Sequence, residues 1–117
     1  MNPRRLCVSG VERLALGEAR VFEFERDGEQ LEGFLLRHRA GLFAYVNRCP
    51  HWAVDLDLGD GRFYAADVDR IYCKNHGALF RVEDGMCDLG PCFGQALESF
   101  AVELEGDDAF IDLERPR

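Results

Sequence analysis

Two short fragments limit what this chain can fold into: Cys49-Pro50-His51 and Cys73-Lys74-Asn75-His76. They read C-x-H and C-x-x-H, and they use two of the chain's three histidines. A fold that brings the fragments together gathers two thiolates and two imidazoles from separate loops. A tetrahedral zinc site uses the same donor types. Zinc fingers, however, pair cysteine with cysteine and histidine with histidine, whereas here each pair is mixed and 21 residues lie between the pairs. One sulfur and one nitrogen per loop suits a two-iron centre in which both sulfurs hold one iron and both nitrogens the other. A plainer alternative is a pair of structural cysteines beside core histidines. That is ordinary for one residue and less so for four at these spacings.

The rest of the chain reads as short strands and turns. Residues 19–25 alternate, with Phe22 and Phe24 among glutamates, and Asp27-Gly28 is a hairpin signal. Residues 31–36 form the next strand, Ala40-Gly41 turns the chain, and residues 42–46 run into the first fragment. Arg70-Ile71-Tyr72 leads into the second fragment and residues 79–82 leave it, before a turn at Glu83-Asp84-Gly85. Residues 97–104 and 109–113 make a final hairpin. Many short strands at close spacing predict an all-β fold, an antiparallel β-sandwich or barrel. Helix is confined to one possible turn at residues 11–14. Phenylalanines on the strands are read as core, and His38, between two arginines at a hairpin end, as a solvated residue.

At this point the chain resembles the Rieske-type [2Fe–2S] ferredoxins and small soluble Rieske domain proteins. The stretch His76-Gly77-Ala78-Leu79-Phe80 resembles the family's H-G-x-x-F, Asp84-Gly85 its hairpin turn, and Gly90-Pro91 the proline-bearing loop that covers the cluster. The likeness runs from Phe43 to Leu113, and the first 40 residues share only a strand pattern. It implies a Rieske-like fold with two cluster-binding loops. Cys49 and Cys73 would hold the buried iron of a [2Fe–2S] cluster, His51 and His76 the outer one. Backbone N–H groups near Gly77 and Ala78 would tune it. High-potential members resemble one another in a serine just after H-G and a tyrosine two residues on; here those positions are Ala78 and Phe80. Three features depart from the pattern. The spacer between the loops is long, with an excursion around residues 59–61 and 67–69. Ala53 replaces a frequent glycine, and Asn75 a bulkier residue.

Length and composition bound the function. At 117 residues the chain reads as one domain, residues 1–117. A composition of 47% hydrophobic and 31% charged residues gives no disorder signal. No apolar run of membrane-spanning length occurs, nor an export signal's hydrophobic core, so the expected location is cytoplasmic. A net charge of −8 argues against nucleic acid and fits a carrier steered to basic patches on its partners. No Ser-His-Asp order or phosphate-binding loop stands out, so no catalytic residues and no small-molecule substrate are expected. The resemblance implies one-electron transfer from a reductase to an oxygenase or similar acceptor. The alternatives are an accessory subunit resembling the small subunit of assimilatory nitrite reductase, and a redox or iron sensor. Among the remaining cysteines, Cys7 reads as a buried small hydrophobe. Cys87 and Cys92 flank Gly90-Pro91 and are open to reading as a reduced pair, a local disulfide or extra ligands. Trp52, next to a ligand histidine, is read either as a docking residue or as packing, with Asp55, Asp57 and Asp60 as a charged rim.

Overall fold

The computed structural model describes residues 4–50, 54–75 and 77–114. His51, Trp52, Ala53 and His76 therefore lie outside the described residues. Among the described residues, ten strands run in the order β1 (Arg5–Ser9), β2 (Ala19–Arg26), β3 (Glu29–His38), β4 (Gly41–Val46), β5 (Tyr64–Ala65), β6 (Arg70–Tyr72), β7 (Leu79–Phe80), β8 (Cys87–Leu89), β9 (Ser99–Glu105) and β10 (Asp108–Asp112). The one helical element among the described residues is a 3₁₀ turn at Val11–Arg13. All pairings are antiparallel. Six strands form one sheet in the order β1-β10-β9-β4-β3-β2, and β5-β6-β7-β8 form a second. The all-β expectation holds.

The register of β3 and β4 explains the architecture. Successive strand residues face opposite sides, and in these central strands both sides are buried. Phe34, Leu36, Phe43 and Tyr45 face a core shared with the small sheet. Leu35, Ala44 and Val46 face a second core with Phe22, Phe24, Phe100 and Ile111. The near-continuous apolar runs of β3 and β4 are thus two interleaved faces. The sheets are joined by a stack of Phe34 on Phe63, with centroids 3.9 Å apart, and by Tyr45, whose hydroxyl donates to Val82 O at 2.5 Å.

Two expectations are corrected. Cys7 is exposed, not buried. Edge strand β1 turns Val8 inward, so its neighbour Cys7, opposite Phe110, takes the outer side. His38 is 5% exposed rather than solvated. The excursion before β6 folds over the β3–β4 turn, and Asp69, at φ 54°, caps the ring. Asp69 Oδ1 meets His38 Nε2 at 2.8 Å and accepts from the Tyr64 hydroxyl at 2.5 Å, while Oδ2 pairs with Arg39. Ala40 N donates to His38 Nδ1 at 3.2 Å, so the ring proton sits on Nε2 and points at Asp69.

Hydrogen bonds from Tyr64 first, then from His38 and Arg39, hold the Asp69 carboxyl well below the usual carboxylate range. A depressed folded-state pKa gives stability that is present above the unfolded value, about 3.9, and is lost as pH falls toward the folded one. Asp69→Asn is expected to lower the melting temperature at neutral pH. The gap from wild type should close below about pH 4; paired thermal melts across pH check this.

Candidate metal centre

The two loops that carry the motif share one construction. Cys49 N donates to Val54 O at 2.8 Å, and Cys73 N donates to Ala78 O at 2.9 Å. Each bond runs from the cysteine to the carbonyl five residues later, so each loop is closed at its cysteine. The histidine positions, 51 and 76, fall inside these closures. Both cysteines are fully buried in the core between the sheets. The reason is local: β4 and β6 enter the loops from that core, and each cysteine lies just beyond a strand end. Gly77 N donates to Cys73 O at 2.8 Å. Contrary to expectation, that N–H is therefore committed within its own loop.

The loops are also tied to one another. Lys74 N donates to Leu56 O at 3.0 Å, and Asn75 Nδ2 donates to Asp55 O at 3.2 Å. Asn75 thus bridges the loops where a bulkier residue was expected. Lys74 Nζ pairs with Asp60 and lies 5.7 Å over the Tyr72 ring. That ion pair, with the Arg62 amide behind it, lowers the Asp60 pKa.

Sequence reasoning missed the bracket beneath the first loop. Asn47 is 4% exposed, and its Oδ1 accepts from Leu56 N at 2.8 Å. Its Nδ2 donates to Asp57 Oδ1 and to Glu32 Oε1, both at 3.1 Å. Asp57 Oδ2 accepts from Gly61 N at 2.9 Å. Asp57 is buried and is no part of a rim, whereas Asp55 and Asp60 are exposed. The available signal was an asparagine directly after an apolar strand and two residues before a cysteine. Such a residue at a strand end caps backbone groups of its own loop.

A third loop closes over the site. Cys87 N donates to Gln95 O at 2.8 Å and Gly94 N to Cys87 O at 3.1 Å, pinching residues 88–94 into a cover. Its Gly90 presses on the second ligand loop: a Cβ there would lie 2.8 Å from Ala78 Cα. Cys87 and Cys92 are buried beside Cys49 and Cys73, with no disulfide. Burial first, then Cys87 and Cys49, pushes the Cys92 pKa up. Outward, the cover exposes Leu89 and Phe93, the latter 73% exposed.

Two buried thiols at matched loop bases, with an imidazole position in each loop, fit a two-iron, two-sulfur group. Soft thiolates favour iron–sulfur centres. Among the described residues no three His, Cys, Asp or Glu side chains gather as a metal site.

Comparison with known proteins agrees with a [2Fe-2S] centre. The family model for the Rieske [2Fe-2S] domain matches residues 4–101. The ferredoxin component of a biphenyl 2,3-dioxygenase from Rhodococcus jostii (strain RHA1) is 37% identical over 111 residues, 94% of this chain and 92% of that protein. A structure of a complex of reduced oxygenase and oxidised ferredoxin in carbazole 1,9a-dioxygenase contains a chain of TM-score 0.73 and 27% identity, with 97% of each chain covered. The ferredoxin of carbazole 1,9a-dioxygenase from Nocardioides aromaticivorans IC177 shares the fold, at TM-score 0.70 and 24% identity over 97% of this chain and 98% of that one.

The contact at Gly90 generates a test. Its φ is +110° and the contact is with backbone, so no rotamer relieves it. Gly90→Ala is expected to cost about 1–3 kcal/mol in backbone strain. It should lift the cover, and a chelator should strip bound metal faster than from wild type; thermal melts and absorbance decay measure both.

Proposed function

The chain belongs to the Rieske [2Fe-2S] family, and on that premise we propose that it is a one-electron carrier between a reductase and an oxygenase. Its ligands are Cys49, His51, Cys73 and His76. The observation that supports this most is the matched pair of closed loops, each with a buried thiol at its base. The cluster, when bound, supplies reversible one-electron chemistry. Everything else is the work of the chain. Cys49 and Cys73 would hold one iron as thiolates from a water-excluding core, and His51 and His76 would hold the other. The bonds from Lys74 and Asn75 to the first loop keep the two loops in register, so little must rearrange when charge arrives.

The chain itself carries no catalytic role in this reading and works as one domain. Its redox chemistry is completed in the acceptor. The ferredoxin relative from the biphenyl dioxygenase system supports a carrier over a fixed accessory subunit or a sensor. None of the described helices is long and apolar enough to cross a membrane, and a cytoplasmic location is part of the proposal. The docking face is the loop end of the molecule. Phe93 and Leu89 provide exposed apolar contact there, and the exposed Asp55 and Asp60 provide negative charge. Exposed aromatic groups of this kind are typical interface anchors.

Native protein purified anaerobically should contain two irons and two labile sulfides. Cys49→Ser, Cys73→Ser, His51→Ala and His76→Ala should each abolish or sharply reduce that content. Stoichiometric zinc without sulfide would overturn the reading. The buried Ala78 and Phe80 carry no hydroxyl toward the centre. The potential should therefore sit at the low end of the Rieske range, roughly −150 mV rather than +300 mV, and Ala78→Ser should raise it.

Phe93→Ala should slow electron delivery to the acceptor while leaving the visible spectrum unchanged. Added salt should slow association in wild type, because exposed charges are screened over about 8–10 Å. Stopped-flow reduction of the acceptor at varied ionic strength measures both effects.

A further inference from the structure

Asp57 is only 2% exposed, and among the described residues its carboxylate has no cation beside it. Both oxygens accept from neutral N–H groups: Oδ1 from Asn47 Nδ2 at 3.1 Å, Oδ2 from Gly61 N at 2.9 Å. The basic side chains of this region are engaged elsewhere, Lys74 with Asp60 and Arg48 with Glu29. An ionised carboxylate is an acceptor only, and one N–H on each oxygen matches that form. Burying a charge is costly unless an opposite charge accompanies it. The fold nevertheless keeps this one dry and unaccompanied.

We propose that the Asp57 carboxylate is a fixed negative charge that holds down the reduction potential of the centre between the ligand loops. The inference rests on the one-electron carrier reading above.

Position carries the argument. Asp57 follows Leu56, and Leu56 is fastened to both ligand loops. Its N–H donates to Asn47 Oδ1 at 2.8 Å, and its carbonyl accepts from Lys74 N at 3.0 Å. Asn47 lies two residues before Cys49, about 7 Å of extended chain, and Lys74 directly follows Cys73. The Leu56 side chain is fully buried in the core that holds both cysteines. The carboxylate is therefore anchored on the segment that joins the two buried thiols. Asn47 and Gly61 grip one oxygen each, so the charge is held in place.

The effect on potential follows from charge. One-electron reduction brings one negative charge to the centre. A fixed carboxylate nearby repels that charge, favours the oxidised state and lowers the potential. The repulsion varies inversely with distance and with the local dielectric constant, and burial keeps the latter low. Salt screens exposed charges over about 8–10 Å and buried ones much less. Glu32 makes the contrast. Its Oε1 accepts from the same Asn47 Nδ2, at 3.1 Å, but Glu32 is half-buried and open to screening. This cause is independent of the missing hydroxyls at Ala78 and Phe80. Those positions lack a stabiliser of the reduced state, whereas Asp57 adds a group that opposes it.

The test is voltammetry of cluster-loaded protein at low and high salt. Asp57→Asn and Asp57→Ser remove the charge with side chains of different shape, and both should raise the potential. Asp57→Glu keeps the charge while disturbing the packing, and should stay nearer to wild type than either neutral variant. The rise in Asp57→Asn should persist at high salt, whereas a smaller rise in Glu32→Gln should fade. An unchanged potential in both neutral variants would overturn the inference. So would a rise in Asp57→Glu equal to theirs, which would mark a packing effect, or a rise in Asp57→Asn that salt abolishes. Wild-type protein without a reversible one-electron wave would instead overturn the carrier reading itself.

Discussion

The structure depends on how two cysteines are held at the ends of two strands. In each case the cysteine amide is bonded to the carbonyl five residues on, and the cysteine is buried in the core. A sulfur without that closure would lie on a loop free to choose its direction. With it, the thiols are fixed by the same packing that fixes Phe34, Tyr45 and Phe63. The small sheet exists to present the second of these loops. Its strands are only two or three residues long and owe their stability to the core they cover rather than to their own ladders.

Around that pair of closures the molecule adds supports of decreasing reach. Asn47 satisfies the first loop from beneath, sharing its amide among Leu56, Asp57 and Glu32. Lys74 and Asn75 fasten the second loop to the first. The covering loop rests on Ala78 through a glycine whose missing side chain permits the approach. Asn47 is buried and Lys74 half-buried, Asn75 lies at the surface, and each has its partners. That is the condition under which polar groups rigidify a site instead of weakening it. A carrier needs little reorganisation when an electron arrives, and this scaffold provides it.

At the end of the large sheet where β3 turns into β4, Asp69 performs a comparable service for His38. It spans the two sheets and anchors the long excursion between the ligand loops. The extra spacer is thus tethered to the sheet rather than left as an ornament near the centre. The acidic surface has a separate role. The carboxylates that face solvent keep the chain soluble and set its long-range field, whereas Asp57 and Asp69 are spent on internal bonds.

Much of this was legible in the sequence. The strand runs, the turns at Asp27-Gly28 and Asp84-Gly85, and the two motif fragments follow from local pattern, because alternation, turn chemistry and donor type are properties of neighbouring residues. What was not legible needed partners distant in the chain. Cys7 lies in an apolar run, but its side was decided by the register of β1 on β10. His38 looked solvated between two arginines until the excursion 31 residues away closed over it. Asp57 looked like a surface carboxylate because nothing local shows that Asn47 and Gly61 converge on it. Nor could spacing place Cys92 against Cys87. The sequence by itself determined the all-β class, since that rests on short-range pattern. Only the tertiary structure decided which groups are dry, since burial depends on which segments meet in space.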